Sequence, residues 1–225
     1  PVWVDSPLVR FKSARHPILG RRAVPIDIEV GEDFDILVIS GPNTGGKTVS
    51  LKTVGLFIMM AQSGLHLPVN FAEMGIFKDV FVEIGDEQNI AQDLSSFSAH
   101  LTHLIPFIKN ADRDTIVLID EPVTGTSPRE GSALAISILE ALKAKGAKVI
   151  VASHYDELKI WASKTERVVN GAMEFDPDTF LPTYRLRMGK PGVSNAFIIA
   201  RKLGLDESII ERARGFLSND ELSLN

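Results

Sequence analysis

Residues 41–48 read Gly-Pro-Asn-Thr-Gly-Gly-Lys-Thr, a spacing of glycine, lysine and hydroxyl that suits the wrapping of a phosphate chain. In a GxxxxGK[ST] loop the glycines let backbone N–H groups turn inward on an anion. The lysine adds charge at the outer phosphates, and the hydroxyl after it ligates magnesium. Here Gly41, Pro42, Asn43, Thr44, Gly45 and Gly46 form the cradle, Lys47 pairs with the β and γ phosphates, and Thr48 takes the metal. At average glycine usage such a match arises by chance in roughly one chain in a hundred of this size, so the motif is read as chemistry rather than as an incidental turn.

Two other stretches end in polar residues after an apolar run. "TIVLIDEP" (115–122) sets Asp120 at a strand end to hold magnesium through water opposite Thr48, and Glu121 to orient and deprotonate an attacking water. "VASHYDEL" (151–158) sets His154 at the same edge, within reach of a γ phosphate. Lys47, Glu121 and His154 are thus the candidate catalytic residues, and Thr48 and Asp120 the candidate metal ligands. His100 and His103, three apart on a probable helix, could share a metal, but no acidic or cysteine partner stands at ligand spacing.

The elements that must position these residues alternate. Residues 35–40, 115–120 and 148–153 are short Ile/Val-rich runs, each followed by a helical pattern over 47–62, 129–145 and 155–163. That order predicts a parallel sheet covered on both faces. In the second helix Leu134, Ile138, Leu139 and Leu142 form an apolar stripe expected to be core, and Gly146 stops the helix. Residues 165–188 read as strand with a hairpin turn at 176–182, and helices near 194–203 and 206–217 complete one domain over 1–225.

Bulk properties narrow the partners. With 225 residues and 44% hydrophobic content the chain is long enough for a substantial core. A formal net charge of -5 makes the surface as a whole a poor magnet for nucleic acid, so any such contact is local or lies outside this chain. With no cysteine there is neither a disulfide nor a thiolate site, which fits the cytoplasm. No leader pattern opens the chain, no methionine begins it, and its longest apolar stretch, Val54 to Ala61, is far short of the roughly 20 residues that span a bilayer. It reads as a soluble fragment of a longer protein without a membrane partner.

Several stretches together resemble a known family. "RHPIL" (15–19), "GPNTGGKT" (41–48), "DEPVTGTSPREG" (120–131), "SHYDEL" (153–158) and "GVSNAFIIARKLGLDESIIERAR" (192–214) resemble the ATP-binding-cassette ATPases and, within them, the MutS ATPase domain. "IGDEQNIAQDLSSFSAHL" (84–101), with Thr44 and Thr48, is similar to the second bacterial MutS paralogue, which carries a downstream Smr nuclease domain and lacks the mismatch-reading N-terminal domain. The resemblance implies an α/β P-loop NTPase of the ABC-ATPase type: a mainly parallel sheet flanked by helices, a small antiparallel portion and C-terminal helices. It implies ATP and Mg2+ as cofactors and a homodimer in which a serine at a helix start, Ser95 or its neighbour Ser96, reaches the γ phosphate bound by the other copy. It also implies action on branched DNA in recombination control, or on collided ribosomes, through parts outside this chain. A mismatch-recognising MutS and a nucleotide-gated dimerisation module are the alternatives; a transporter motor is disfavoured because the Leu-Ser-Gly-Gly-Gln signature is absent. Two positions depart from the family pattern. Pro122, Val123 and Thr124 replace a glycine-rich loop, and no aromatic stands near Ala23 and Val24 to stack on adenine.

Overall fold

The three apolar runs become three adjacent strands at the centre of a six-stranded sheet. A computed structural model of the chain describes residues 1–85, 96–176, 179, 181–192 and 196–222. In chain order the elements are β1 (Val2–Trp3), β2 (Val9–Ala14), β3 (Ile26–Val30), β4 (Ile36–Ser40), α1 (Lys47–Gln62), β5 (Phe71–Met74), β6 (Asp79–Glu83) and α2 (Ser96–Asn110). They continue with β7 (Thr115–Asp120), α3 (Pro128–Ala144), β8 (Lys148–Ala152), α4 (Asp156–Lys164), β9 (Val168–Phe175), β10 (Pro182–Met188), α5 (Ala196–Lys202) and α6 (Glu207–Leu222).

The large sheet runs β10-β9-β4-β8-β7-β6. Every neighbouring pair from β9 to β6 is parallel, and only the β9–β10 hairpin is antiparallel. Burial on both faces explains the unbroken apolar runs of β4, β7 and β8. Strand periodicity sends Leu37, Ile39, Leu118 and Ile150 to one face, where they meet Leu51, Val54 and Phe57 of α1. Ile36, Val38, Val117 and Val151 go to the other, against Leu139 and Leu142 of α3 and Leu158 of α4.

Helix α3 starts where a local cap specifies it. Ser127 precedes Pro128; the Glu130 N–H donates to Ser127 Oγ (3.4 Å), and Ser127 Oγ donates to Glu130 Oε2 (2.9 Å). Its buried face is Ala135, Ile138, Leu139 and Leu142, whereas Leu134, expected in the core, is 39% exposed. At about 100° per residue Leu134 lies roughly a quarter-turn from the centre of that stripe.

A second sheet, β1-β5-β2-β3, is mixed, with β1–β5 parallel and the other pairs antiparallel. It packs on a second side of α1, where Phe11 meets Phe57 edge-on at 5.4 Å between ring centroids. α1 is therefore packed from two sides, which holds the phosphate loop at its N-terminus in place. Among the described residues no helix is long and apolar enough to cross a membrane.

At the sheet edge opposite the chain's polar strand ends, Asp35 accepts hydrogen bonds from Lys148 Nζ (2.7 Å) and from Arg167 Nε (2.7 Å) and Nη2 (3.0 Å). These contacts tie together the starts of β4, β8 and β9. Burial pushes the Asp35 carboxyl up, but the hydrogen bonds and charges of Arg167 and Lys148 outweigh it and hold the group below its ordinary value of 3.8. Its contribution to stability is therefore fully present above about pH 4 and is lost as pH falls through the depressed folded value. Asp35→Asn should destabilise the fold at pH 7 by on the order of 1–2 kcal/mol, allowing for solvent at Arg167. Urea unfolding should show that difference shrinking as the pH is lowered from 4 toward 2.

Candidate active site

The phosphate loop leaves β4 at Ser40 and turns twice through glycine. Gly41 has φ 133, residues Asn43–Gly45 make a single 3-10 turn closed by the Gly45 N–H on the Pro42 carbonyl (2.9 Å), and Gly46 has φ 99 before α1 begins at Lys47. Only glycine holds a left-handed φ without strain. A Cβ at Gly46 would also touch Met173 Cε and Tyr184 Cδ1 at 3.4 Å each. Among the described residues no side chain caps α1, and no acidic residue lies in its first turn, so the helix start suits an anion. Lys47 is buried, at 2% exposure, and its Nζ donates to the Gly41 carbonyl at 2.8 Å.

The other strand ends converge on this loop because β8 lies between β4 and β7, with Ala152 level with both Ile39 and Asp120. Thr48 Oγ1 donates to Asp120 Oδ2 across the gap. Glu121, just past β7, has φ 56, a conformation uncommon outside glycine, and its N–H donates to the Ala152 carbonyl at 2.9 Å. That geometry turns the side chain back across the strand ends. Glu121 Oε2 stands 2.7 Å from His154 Nδ1, and Oε1 stands 3.5 Å from Lys47 Nζ. Lys47, Thr48, Asp120, Glu121 and His154 share one cavity of ≈ 400 Å³ with Gly85, His100 and Thr124. The Thr48 hydroxyl and the Asp120 carboxylate, in contact along its wall, are hard oxygen donors of the kind that suits magnesium.

The loop that carries Pro122, Val123 and Thr124 is anchored from below. Val123 is buried, its carbonyl accepts from Tyr155 Oη at 2.8 Å, and a Cβ at Gly131 would fall 2.6 Å from that hydroxyl. Burial, with Glu121 and Glu157 nearby, pushes the Tyr155 hydroxyl above its ordinary pKa, so it remains a donor.

On the other side of the phosphate loop lies a second cavity of ≈ 430 Å³, bordered by Thr44, Gly46 and Thr48 and by His16, Ala23 and Tyr184. No aromatic stands near Ala23 and Val24, but Tyr184 of β10 lines the same cavity, its ring against Gly46. Nothing local in the sequence links it to the loop. His16 Nδ1 is buried there without a hydrogen-bond partner among the described residues, a polar group suited to a base edge.

Ser95 lies outside the described residues, and Ser96 opens α2. His100 and His103 have an acidic partner after all: Glu83, at the end of β6, lies 3.4 Å from His100 Nδ1 and 3.0 Å from His103 Nδ1. It is distant in sequence and so invisible to ligand spacing. Among the described residues no group of three or more histidines, cysteines and acids has the geometry of a metal site.

A glycine-rich loop at a helix start, beside an Asp-Glu strand end and a histidine, has the form of a nucleotide-handling site, and comparison with known proteins narrows it. Residues 37–221 match the family model for MutS domain V, and the chain belongs to the MutS family. It is 53% identical over 222 residues to Endonuclease MutS2 of Carboxydothermus hydrogenoformans, covering 98% of this chain and 29% of that protein. Against Endonuclease MutS2 of Caldicellulosiruptor bescii it is 52% identical over 227 residues, covering 100% and 29%. Against that of Enterococcus faecalis it is 52% identical over 219 residues, covering 96% and 28%. These relatives put it with the MutS2 branch, and the chain spans less than a third of their length.

Gly46→Ala should destabilise the domain by about 1–2 kcal/mol in urea unfolding, since an L residue is placed in a left-handed conformation with neighbours already in contact. An unchanged midpoint would show that the loop relaxes to a different backbone path.

Proposed function

We propose that residues 1–225 form one P-loop NTPase unit of the ABC-ATPase type, which binds ATP with Mg2+ and hydrolyses it in the cytoplasm as part of a MutS2-like protein. The observation that carries this reading is the convergence of Lys47, Thr48, Asp120, Glu121 and His154 at the ends of three adjacent parallel strands. The phosphates lie over the start of α1, cradled by residues Gly41 to Gly46, and the base enters the cavity beside Tyr184 and His16. Lys47 stabilises charge that develops on the transferring phosphate. The Glu121 carboxylate, held by His154, aligns the attacking water and accepts its proton. His154, more than half exposed at its side chain, contacts the γ phosphate. Thr48 and Asp120 would hold magnesium, which would supply charge neutralisation for the phosphate chain.

The site is completed by a second copy of the chain, whose Ser95 or Ser96 contacts the γ phosphate. ATP binding then closes a homodimer and hydrolysis opens it, a change that moves parts outside this chain. Those parts act on branched DNA in recombination control or on collided ribosomes, and a downstream Smr domain supplies nuclease chemistry. The net charge of -5 supports assigning nucleic-acid contact to other parts of the protein.

Glu121→Gln keeps the shape of the side chain and removes its basicity. Steady-state phosphate release should fall by about 100-fold or more, while ATP-dependent self-association, followed by sedimentation velocity, persists. Turnover comparable with the parent protein would remove Glu121 from the mechanism.

A further inference from the structure

We propose that His100, oriented by Glu83, is a second histidine at the phosphate end of the cavity, where it contacts the terminal phosphate of ATP and makes the site prefer ATP to ADP. The inference rests on the ATP-binding reading above and adds a specificity-determining residue to it. β6 runs parallel to β7 with Glu83 level with Ile119, so its carboxylate stands at the same sheet edge as Asp120. The Glu83 side chain is only 10% exposed. A carboxylate so withdrawn from water needs partners, and α2 supplies two imidazoles one turn apart.

Both rings turn Nδ1 toward Glu83, which leaves each Nε2 facing elsewhere. The two differ in where that is. His103 is 41% exposed at its side chain, whereas His100 is 13% exposed and lines the cavity beside Lys47, Asp120, Glu121 and His154. His100 Nδ1 lies 3.4 Å from Glu83 Oε1, and this buried nitrogen has no hydrogen-bond partner among the described residues. An imidazole fixed at Nδ1 by a carboxylate presents Nε2 to whatever fills the cavity. When that is a phosphate, the protonated ring lies between two anions and its Nε2–H donates to the phosphate. ADP lacks the phosphate that Nε2 would meet, so the contact discriminates between the nucleotides.

The test uses the full-length protein and equilibrium binding of ADP and of the non-hydrolysable β,γ-imido analogue of ATP. The side-chain amide of asparagine overlays Nδ1, and that of glutamine overlays Nε2. His100→Asn therefore keeps the Glu83 contact and loses the reach to phosphate. It should lower the triphosphate-over-diphosphate preference about tenfold or more, the worth of one charged hydrogen bond, with ADP affinity unchanged. His100→Gln should recover part of the preference, and His103→Gln, which loses the same carboxylate without facing the cavity, should leave it intact. A preference within twofold of the parent in His100→Asn overturns the proposal. So does an equal loss in His103→Gln, which would assign the effect to support of Glu83. A parent protein that binds neither nucleotide contradicts the ATP-binding reading itself, and this inference with it.

Discussion

Glu121, with a left-handed backbone, stands immediately past a strand buried from Thr115 to Ile119, and the arrangement of the site depends on where that puts its carboxylate. One oxygen faces His154 at 2.7 Å and the other faces Lys47 at 3.5 Å. The acid thus links the phosphate-loop helix to the strand end that carries the histidine. This arrangement requires β8 to lie between β4 and β7, because only then do three polar strand ends come within side-chain reach of each other. The strained φ at Glu121 persists because its N–H is fixed on Ala152 and the loop after it is held by buried Val123 and the Tyr155 hydroxyl.

Stability and chemistry occupy opposite edges of the same sheet. Asp35, Lys148 and Arg167 bind the starts of three strands, far from the phosphate loop. The small sheet packs on α1 as the large one does, so the loop at the helix N-terminus is anchored by apolar packing that takes no part in the chemistry. Polar groups at the site edge are in turn left to meet a ligand: the uncapped start of α1, the buried His16 Nδ1 and the cavity-facing His100.

The sequence revealed what is local. The strands over 115–120 and 148–153, the helix over 47–62 and the hairpin after 165 follow from periodicity and from glycine and proline punctuation, and each appears within a few residues of its expected place. The phosphate loop and the Asp-Glu strand end were legible for the same reason, since their residue types and spacing are contiguous. What escaped detection depends on contacts between distant residues. In the second sheet β1 and β5 are only two and four residues long, and β2 and β3 alternate buried with less buried positions instead of forming an unbroken apolar run. Glu83 meets His100 and His103, and Tyr184 meets Gly46, only because the sheet order brings them together. The misplacement of Leu134 has a different cause, because three- and four-residue spacings fit two neighbouring stripes of a helix and tertiary packing chose the one centred on Ala135 and Leu139.

The central claim is that the Thr48–Asp120 contact marks the seat of magnesium beside an ATP phosphate chain. Equilibrium titration of the full-length protein with a fluorescent ATP analogue, with and without Mg2+, tests it most directly when repeated on Asp120→Asn. Tight binding that depends on Mg2+ in the parent, with the dependence lost or reduced about tenfold or more in the variant, is the result this account predicts. The same Mg2+ dependence in both proteins would contradict it.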